Sequence, residues 1–163
     1  MGESSMPTAI SRLLAGFGEA LRLTLRLDAH GACGLRIDER LDLVLASDVS
    51  GAWVVAQLAL GPLPASASVG TLRRVLAANV AFGDAWADAP DVHGGTHAVW
   101  ALAEDELTLS RRLPLAAMDA EQLVAAVSAL VALALEELDR QAQECADTSS
   151  SPVLAPMFGM VAA

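Results

Sequence analysis

Apolar residues recur along this chain with two different periods, and each change of period marks a new element. Near the start they recur every three or four positions, as on one face of an α-helix. The members of this stripe are Ile10, Leu13, Leu14, Phe17 and Leu21. Pro7 suits the first turn of such a helix, because its missing N–H would have no partner there in any case. The pattern predicts a first helix that begins near Pro7, although Gly16 and Gly18 weaken it and could end it early.

The period then falls to two, which is typical of strands with one covered face. Apolar and polar residues alternate over residues 23–27, 33–37 and 41–45, and a more continuous apolar stretch follows over residues 53–60. Turn-forming residues separate these stretches. The pattern therefore predicts three or four antiparallel strands after the first helix.

The second half of the chain returns to helical spacing and then changes period again. A second helical stripe consists of Leu72, Val75, Leu76 and Val80. Residues 97–103 and 107–113 have the pattern of a hairpin, joined at the acidic residues 104–106. A long apolar stripe over residues 123–138 follows Asp119 and Gln122, whose spacing is that of a helix capping box. This half predicts a helix, two strands and a long final helix.

The predicted order is helix, three or four strands, helix, two strands, helix. It indicates an α+β fold with a mostly antiparallel sheet of five to six strands and three helices, in which a helix covers one sheet face. We assign residues 1–146 to this single domain. Residues 147–163 are expected to be a flexible tail, since they lack periodicity and termini are loose unless docked. The apolar end of that tail could instead fill a binding groove as a placeholder.

Composition and net charge mainly exclude certain classes of binding partner. The net charge is −10, and the ten basic residues are scattered arginines. Because a nucleic-acid binder needs clustered positive charge, we expect no nucleic-acid partner. The longest apolar run is too short to insert into a membrane, and no secretory signal opens the chain, which indicates a cytoplasmic protein. The acidic balance either serves solubility or attracts basic segments of a partner.

Residues able to carry out chemistry are few. His30, His93 and His97 are the imidazoles of the chain, and the glycines between the last two argue against a zinc-binding helix. Cys33 alternates into the apolar face of its strand, as a small core residue does. The chain contains no lysine, which excludes P-loop and Schiff-base chemistry. We predict no catalytic residue, no metal and no cofactor, so we do not expect an enzyme.

Four stretches, in this order, resemble the class I type III secretion chaperones, also called the Tir-chaperone family. They are LLAGFG at residues 13–18 with Leu21, LDAHGACGLRID at residues 27–38, LALGPLP at residues 58–64 followed by LAAN at residues 76–79, and residues 107–115 before the acidic final helix. The resemblance covers residues 7–145. The chain departs from the family pattern in the long Gly-rich loop of residues 82–95 and in the apolar tail after Pro152.

The resemblance implies a small, acidic homodimer of the bacterial cytoplasm that serves virulence. Such a chaperone binds the N-terminal segment of a secreted effector, keeps it non-globular and export-competent, and delivers it to the secretion apparatus. The family pattern also places the two-fold contact at the second helix and the strands after it. The residues assigned to the dimer interface are Leu72, Val75, Leu76, Val80 and Trp100.

The effector-binding surface is assigned to apolar positions of the first helix and the adjoining strand. These positions exceed what one face needs if the last helix fills the core. They are Leu13, Leu14, Phe17, Leu35 and Ile37. The alternative is that all five face the core, as helical stripes usually do. Two other functions stay open: a small dimeric adaptor or scaffold unrelated to secretion, and an enzyme without familiar motifs.

Overall fold

The computed structural model describes residues 8–63, 68–84 and 98–149. Within them the elements are α1 (Ala9–Leu21), β1 (Ala32–Ile37), β2 (Leu41–Ser47), β3 (Trp53–Pro62), α2 (Ser68–Asp84), β4 (Ala98–Ala103), β5 (Glu106–Pro114), a 3₁₀ turn (Leu115–Ala117) and α3 (Ala120–Ser149). The prediction of an α+β fold with three helices and an antiparallel sheet is confirmed. Pro7 lies outside the described residues.

The sheet has five strands in the order β1-β2-β3-β5-β4, and every neighbouring pair is antiparallel. Residues 23–27, which alternate like a strand, form none. The reason lies at the end of α1, where the Leu23 N–H donates to the Gly18 carbonyl at 2.7 Å and turns the chain back onto the helix. Leu25 and Leu27 then pack against the core instead of pairing with β1.

Partners across the strands share one face, so the register shows which side chains meet. One row runs across all five strands and consists of Leu35, Leu43, Leu58, Leu109 and Trp100. The helix α3 packs on β3 and β5 above this covered face, and α1 packs beside α3. Buried leucines of the strands and of α3 make one core with the apolar stripe of α1.

The close packing of α1 depends on two glycines. A Cβ at Gly16 would lie 3.0 Å from the Cβ of Ala120 in α3, and a Cβ at Gly18 would lie 2.6 Å from the Leu23 carbonyl oxygen. Arg22 in the left-handed region, with φ 57°, completes the reversal. These glycines therefore let α1 sit against α3 and reverse into the next segment.

The predicted capping box of the last helix is confirmed. The Gln122 N–H donates to Asp119 Oδ1 at 2.8 Å, and the Asp119 N–H donates to Gln122 Oε1 at 3.0 Å. The helix continues to Ser149, beyond the predicted domain boundary after residue 146. Residues 150–163, the rest of the predicted tail, lie outside the described residues. The helix α2 likewise continues to Asp84, into the segment predicted as a loop.

Candidate functional site

One face of the sheet carries no helix in the part of the chain that the structure describes. Across its middle runs a row of five partners, one per strand, which we call the open-face strip: Gly34, Val44, Gln57, Ser110 and Val99. Val44 and Val99 are 41% and 47% exposed. No member of the strip is charged, and all except Gln57 are small. The strip is therefore a flat, weakly polar surface on which another polypeptide can pack.

The sequence assignment missed this strip, although the strands carried a signal for it. Residues 43–46 read LVLA and residues 98–103 read AVWALA, so these stretches place apolar residues on both faces of the sheet, although Asp42 precedes Val44 on the open face. Such runs are typical of strands covered on both sides. Here no helix of the described residues supplies the second cover.

Within the described ranges, the outer side of the edge strand β1 is hydrogen-bonded at its first residue only. Asp28 Oδ1 accepts from the N–H groups of His30 and Ala32 at 2.8 and 2.9 Å, and the Asp28 N–H donates to the Ala32 carbonyl at 2.7 Å. The Ala32 and His30 hydrogen bonds lower the pKa of the Asp28 carboxyl. Since Ala32 uses both backbone groups on the outer side, alternation turns those of Gly34 and Arg36 outward as well. The middle of β1 is thus an edge on which an extended segment can pair.

The five residues assigned to effector binding all belong to the core or pack against it. Leu13, Leu14 and Phe17 are buried, with Phe17 only 1% exposed. Leu35 and Ile37 are half-buried on β1. Burial in this chain therefore favours the core alternative for the three residues of α1, and leaves the two residues of β1 within reach of a partner.

The residues assigned to the dimer interface divide in a similar way. Val75 and Trp100 are buried, Leu72 is half-buried, and Leu76 is 62% exposed. The side chain of Val80 lies outside the described residues. Val69, on the same helix as Leu76, is equally exposed. The outer face of α2 thus presents two large apolar side chains to solvent.

Polar contacts hold α2 against α3. The buried carboxylate of Glu137 accepts from Arg74 Nη2 at 2.7 Å and from Arg140 Nη1 at 2.9 Å, and Arg74 also pairs with Glu144. The hydrogen bond to Glu137 is the main reason that the pKa of Arg74 is raised. Beside this cluster lies an open pocket of about 200 Å³ with apolar walls formed by Val75, Ala78, Trp100 and Leu133.

Two acidic turns lie at the same end of the sheet. One contains Asp38 and Glu39, the other Glu104 and Asp105, and all four residues have positive φ. Strand β1 leads into the first turn and β4 into the second. Because every neighbouring pair in the order β1-β2-β3-β5-β4 is antiparallel, β1 and β4 run in the same direction. Of the acidic residues 104–106 that were predicted to join the hairpin, Glu104 and Asp105 form the turn, whereas Glu106 is the first residue of β5.

The opposite end of the sheet is held by Asp48. It accepts from Ser50 Oγ, from the Trp53 N–H and from Arg112, whose guanidinium lies 5.1 Å from the centre of the Trp53 ring. Desolvation alone would raise the pKa of the Asp48 carboxyl, but these hydrogen bonds outweigh it, so the pKa is lowered. We infer that these contacts stabilise the β2–β3 turn.

Candidate chemistry is sparse in the described residues. Cys33 is buried, as predicted, and burial raises the pKa of its thiol, which suits a core residue and not a nucleophile. Over residues 8–63, 68–84 and 98–149, no three His, Cys, Asp or Glu side chains are grouped as a metal site would require. His93, His97 and Trp86 lie outside these ranges. No helix in the same ranges is long and apolar enough to cross a bilayer.

Solved structures share this fold. The Yersinia pestis type III secretion chaperone SycH, in complex with a stable fragment of YscM2, is 21% identical with a TM-score of 0.57, over 76% of this chain and 95% of that one. A chain of the HopA1–SchA chaperone–effector complex is 17% identical with a TM-score of 0.63, over 80% and 93%. A chain of the ExsC–ExsE complex is 18% identical with a TM-score of 0.64, over 80% and 91%.

Sequence comparison gives the family. No curated protein matches the chain. The model of the Tir chaperone protein (CesT) family, however, matches residues 12–137. Because the match spans well over half of the sequence, the chain belongs to the Tir chaperone protein (CesT) family.

Proposed function

We propose that this chain acts as a type III secretion chaperone that binds the N-terminal segment of a secreted effector. It keeps the segment non-globular and export-competent and delivers it to the secretion apparatus from the bacterial cytoplasm. The family is one of chaperones, and similar folds are solved as chaperone–effector complexes. The proposal includes that the chain catalyses no reaction.

The observation that carries the proposal is the open-face strip. No helix of the described residues covers this face, so the exposed apolar side chains of Val44 and Val99 are free to be buried by a partner, and burial of apolar surface is worth about 25 cal/mol per Å². The strip spans all five strands and bears no charge, so it can accept apolar side chains of many sequences. An effector segment that covers it gains affinity without first forming a core of its own.

We assign the backbone of the effector segment to the β1 edge. Strand addition supplies main-chain hydrogen bonds whatever the side chains are, and pockets along the strand add selectivity. The outward groups of Gly34 and Arg36 would make these bonds, while Leu35 and Ile37 contact apolar side chains. Leu13, Leu14 and Phe17 support this surface from the core beneath it.

Charge gives the acidic turns a role in association. Asp38, Glu39, Glu104 and Asp105 lie at one end of the sheet and attract basic segments over a distance, which raises the association rate more than the affinity. Added salt should therefore slow association with a basic effector segment and leave its dissociation rate nearly unchanged. Equal slowing with an acidic segment of the same length would rule out this role.

The proposal also holds that the C-terminal tail is dispensable for folding and for effector binding. Because the helix α3 continues to Ser149, the expected cut lies after that residue. A chain truncated after Ser149 should keep its melting temperature and its effector. Loss of either would favour the alternative that the tail fills a groove.

The test uses a chaperone variant that keeps its fold. Val44→Asp places a carboxylate on the open-face strip, where the side chain is 41% exposed and the monomer tolerates it. We expect an unchanged melting temperature and at least about tenfold weaker retention of a co-expressed effector, since a charge would be buried without a partner. The matched control is Val49→Asp, because Val49 is fully exposed in the β2–β3 turn. Equal retention by both variants would contradict the proposal.

A further inference from the structure

Among the described residues, one side chain closes the middle of the second edge of the sheet. In β4, the Trp100 N–H donates to Asn79 Oδ1 at 2.9 Å, and Asn79 Nδ2 donates to the Trp100 carbonyl at 2.9 Å. The carbonyls of Val99 and Ala101 instead accept from Ser110 and Thr108 of β5. Trp100 therefore turns both backbone groups toward α2, and both are satisfied there.

A carboxamide offers the donor and acceptor pair of a peptide group. The two hydrogen bonds from Asn79 are those that a neighbouring strand would make to Trp100 in an antiparallel ladder. The side chain thus replaces a sixth strand at the middle of β4. An exposed edge is otherwise a template for pairing with another chain.

The helix that carries Asn79 is fixed independently. One turn earlier on α2, Arg74 pairs with Glu137 and Glu144 of α3. This anchors α2 beside β4, with which it also makes most of its packing contacts. On β1, by contrast, Asp28 satisfies only the first residue, Ala32, and no other backbone group in the described residues bonds to the outer side of Gly34 or Arg36.

We propose that Asn79 is a specificity-determining residue: its side chain closes the β4 edge to strand addition and so restricts a backbone-bound segment to β1. The second part of this statement rests on the proposed function, because it concerns where the effector pairs. The first part is a property of the chain alone and is tested without an effector.

The experiment compares Asn79→Leu with Arg73→Leu, which alters an exposed side chain on the same helix. Leucine has the branched outline of asparagine and the same number of non-hydrogen atoms, but it cannot form either hydrogen bond. We expect the Trp100 amide to exchange with solvent about tenfold faster or more in Asn79→Leu, and at its normal rate in Arg73→Leu. We also expect Asn79→Leu to form larger assemblies by light scattering, as free β4 edges pair.

A second change assigns such assemblies to β4. The N–H of Leu102 points outward like that of Trp100, so Leu102→Pro removes a donor from the same edge. Added to Asn79→Leu, it should restore the normal mass. If Asn79→Leu does not fold, as judged by circular dichroism, Asn79→Ala replaces it with the same readouts.

Three results are distinguishable. Faster exchange with larger assemblies that Leu102→Pro reverses supports the proposal. Faster exchange at an unchanged mass overturns it, since Asn79 is then only a tie between α2 and β4. Unchanged exchange at Trp100 overturns it as well. None of these results depends on an effector, whereas failure of the proposed function would appear only in the retention assay with Val44→Asp.

Discussion

At the residue scale, Phe17 shows how a motif position acquires its role. It lies between Gly16 and Gly18, which allow α1 to approach α3 and to reverse after Arg22. Because the helix comes so close, the ring is enclosed by the core and not by solvent. The side chain therefore acts on function through the stability of the surface above it.

The first prediction follows from this burial. Phe17→Ala should lower the free energy of unfolding by about 3–5 kcal/mol, as other buried phenylalanines do when truncated. The fraction that stays folded should retain its effector normally. A urea titration paired with a pull-down measures both quantities, and Leu23→Ala, at an exposed apolar residue just after α1, serves as the control. Normal stability with selective loss of effector binding would show that Phe17 belongs to the effector-binding surface.

Sequence periodicity predicted the α1 stripe correctly but could not show which of its members stay exposed. The spacing of Leu13, Leu14 and Phe17 defines a face of the helix, not what covers that face. The cover is α3, which begins about a hundred residues later and comes into contact only through the fold. Val44 and Val99 were missed for a different reason: both lie in apolar stretches of their strands, where the sequence does not show that one face lacks a helix.

At the scale of elements, α2 is held more by polar contacts than by burial. Only Thr71 and Val75 of its described side chains are buried, whereas Arg74 and Asn79 each make two or more hydrogen bonds to other elements. Such contacts are directional and fix the helix in one register. The position of α2, and with it the position of its outer face, thus depends on a few charged and amide groups.

The second prediction concerns this attachment. Glu137→Gln should lower the free energy of unfolding by about 1–3 kcal/mol. Breaking a fully buried ion pair costs more, but the side chains of Arg74 and Arg140 are 31% and 41% exposed and partly screened by solvent. The control is Glu136→Gln, whose exposed pair with Arg140 should matter by about 0.5 kcal/mol or less. Chemical denaturation compares them. Equal losses for the two variants would show that Glu137 does not anchor α2.

Elements were predicted well where the period was clear, and poorly where long-range contacts decide. The strand order, with β5 between β3 and β4, depends on pairings that no local pattern encodes. Residues 23–27 alternate like a strand, but the reversal at Gly18 takes them away from the sheet. Arg74 and Glu137, which join α2 to α3, are 63 residues apart in the sequence, so no spacing rule indicates that they pair.

At the scale of the whole molecule, the faces of the fold have different roles. Helices α1 and α3 cover one sheet face, the open-face strip occupies the other, and α2 lies beside the β4 edge. Leu76 and Val69 remain exposed on α2. Since the other described surface of α2 is occupied by α3 and β4, we propose this outer face as the homodimer contact.

The third prediction tests the homodimer. Light scattering should give a mass twice the 16.8 kDa of the chain. Leu76→Asp should yield a folded monomer, because the side chain is 62% exposed in one chain and would be buried only between two. Leu23→Asp, at a residue that is half exposed and away from α2, should stay dimeric. A dimeric Leu76→Asp would place the interface elsewhere.

The central claim is that the sheet holds an effector segment that stays unfolded. Amide hydrogen exchange on the purified complex with the effector's N-terminal segment tests it most directly. We expect new protection at Gly34 and Arg36 on β1 and around Val44, while effector amides outside the contact exchange as fast as in an unfolded chain. Protection spread through the effector as in a folded domain, with β1 and the open-face strip unchanged, would contradict the account.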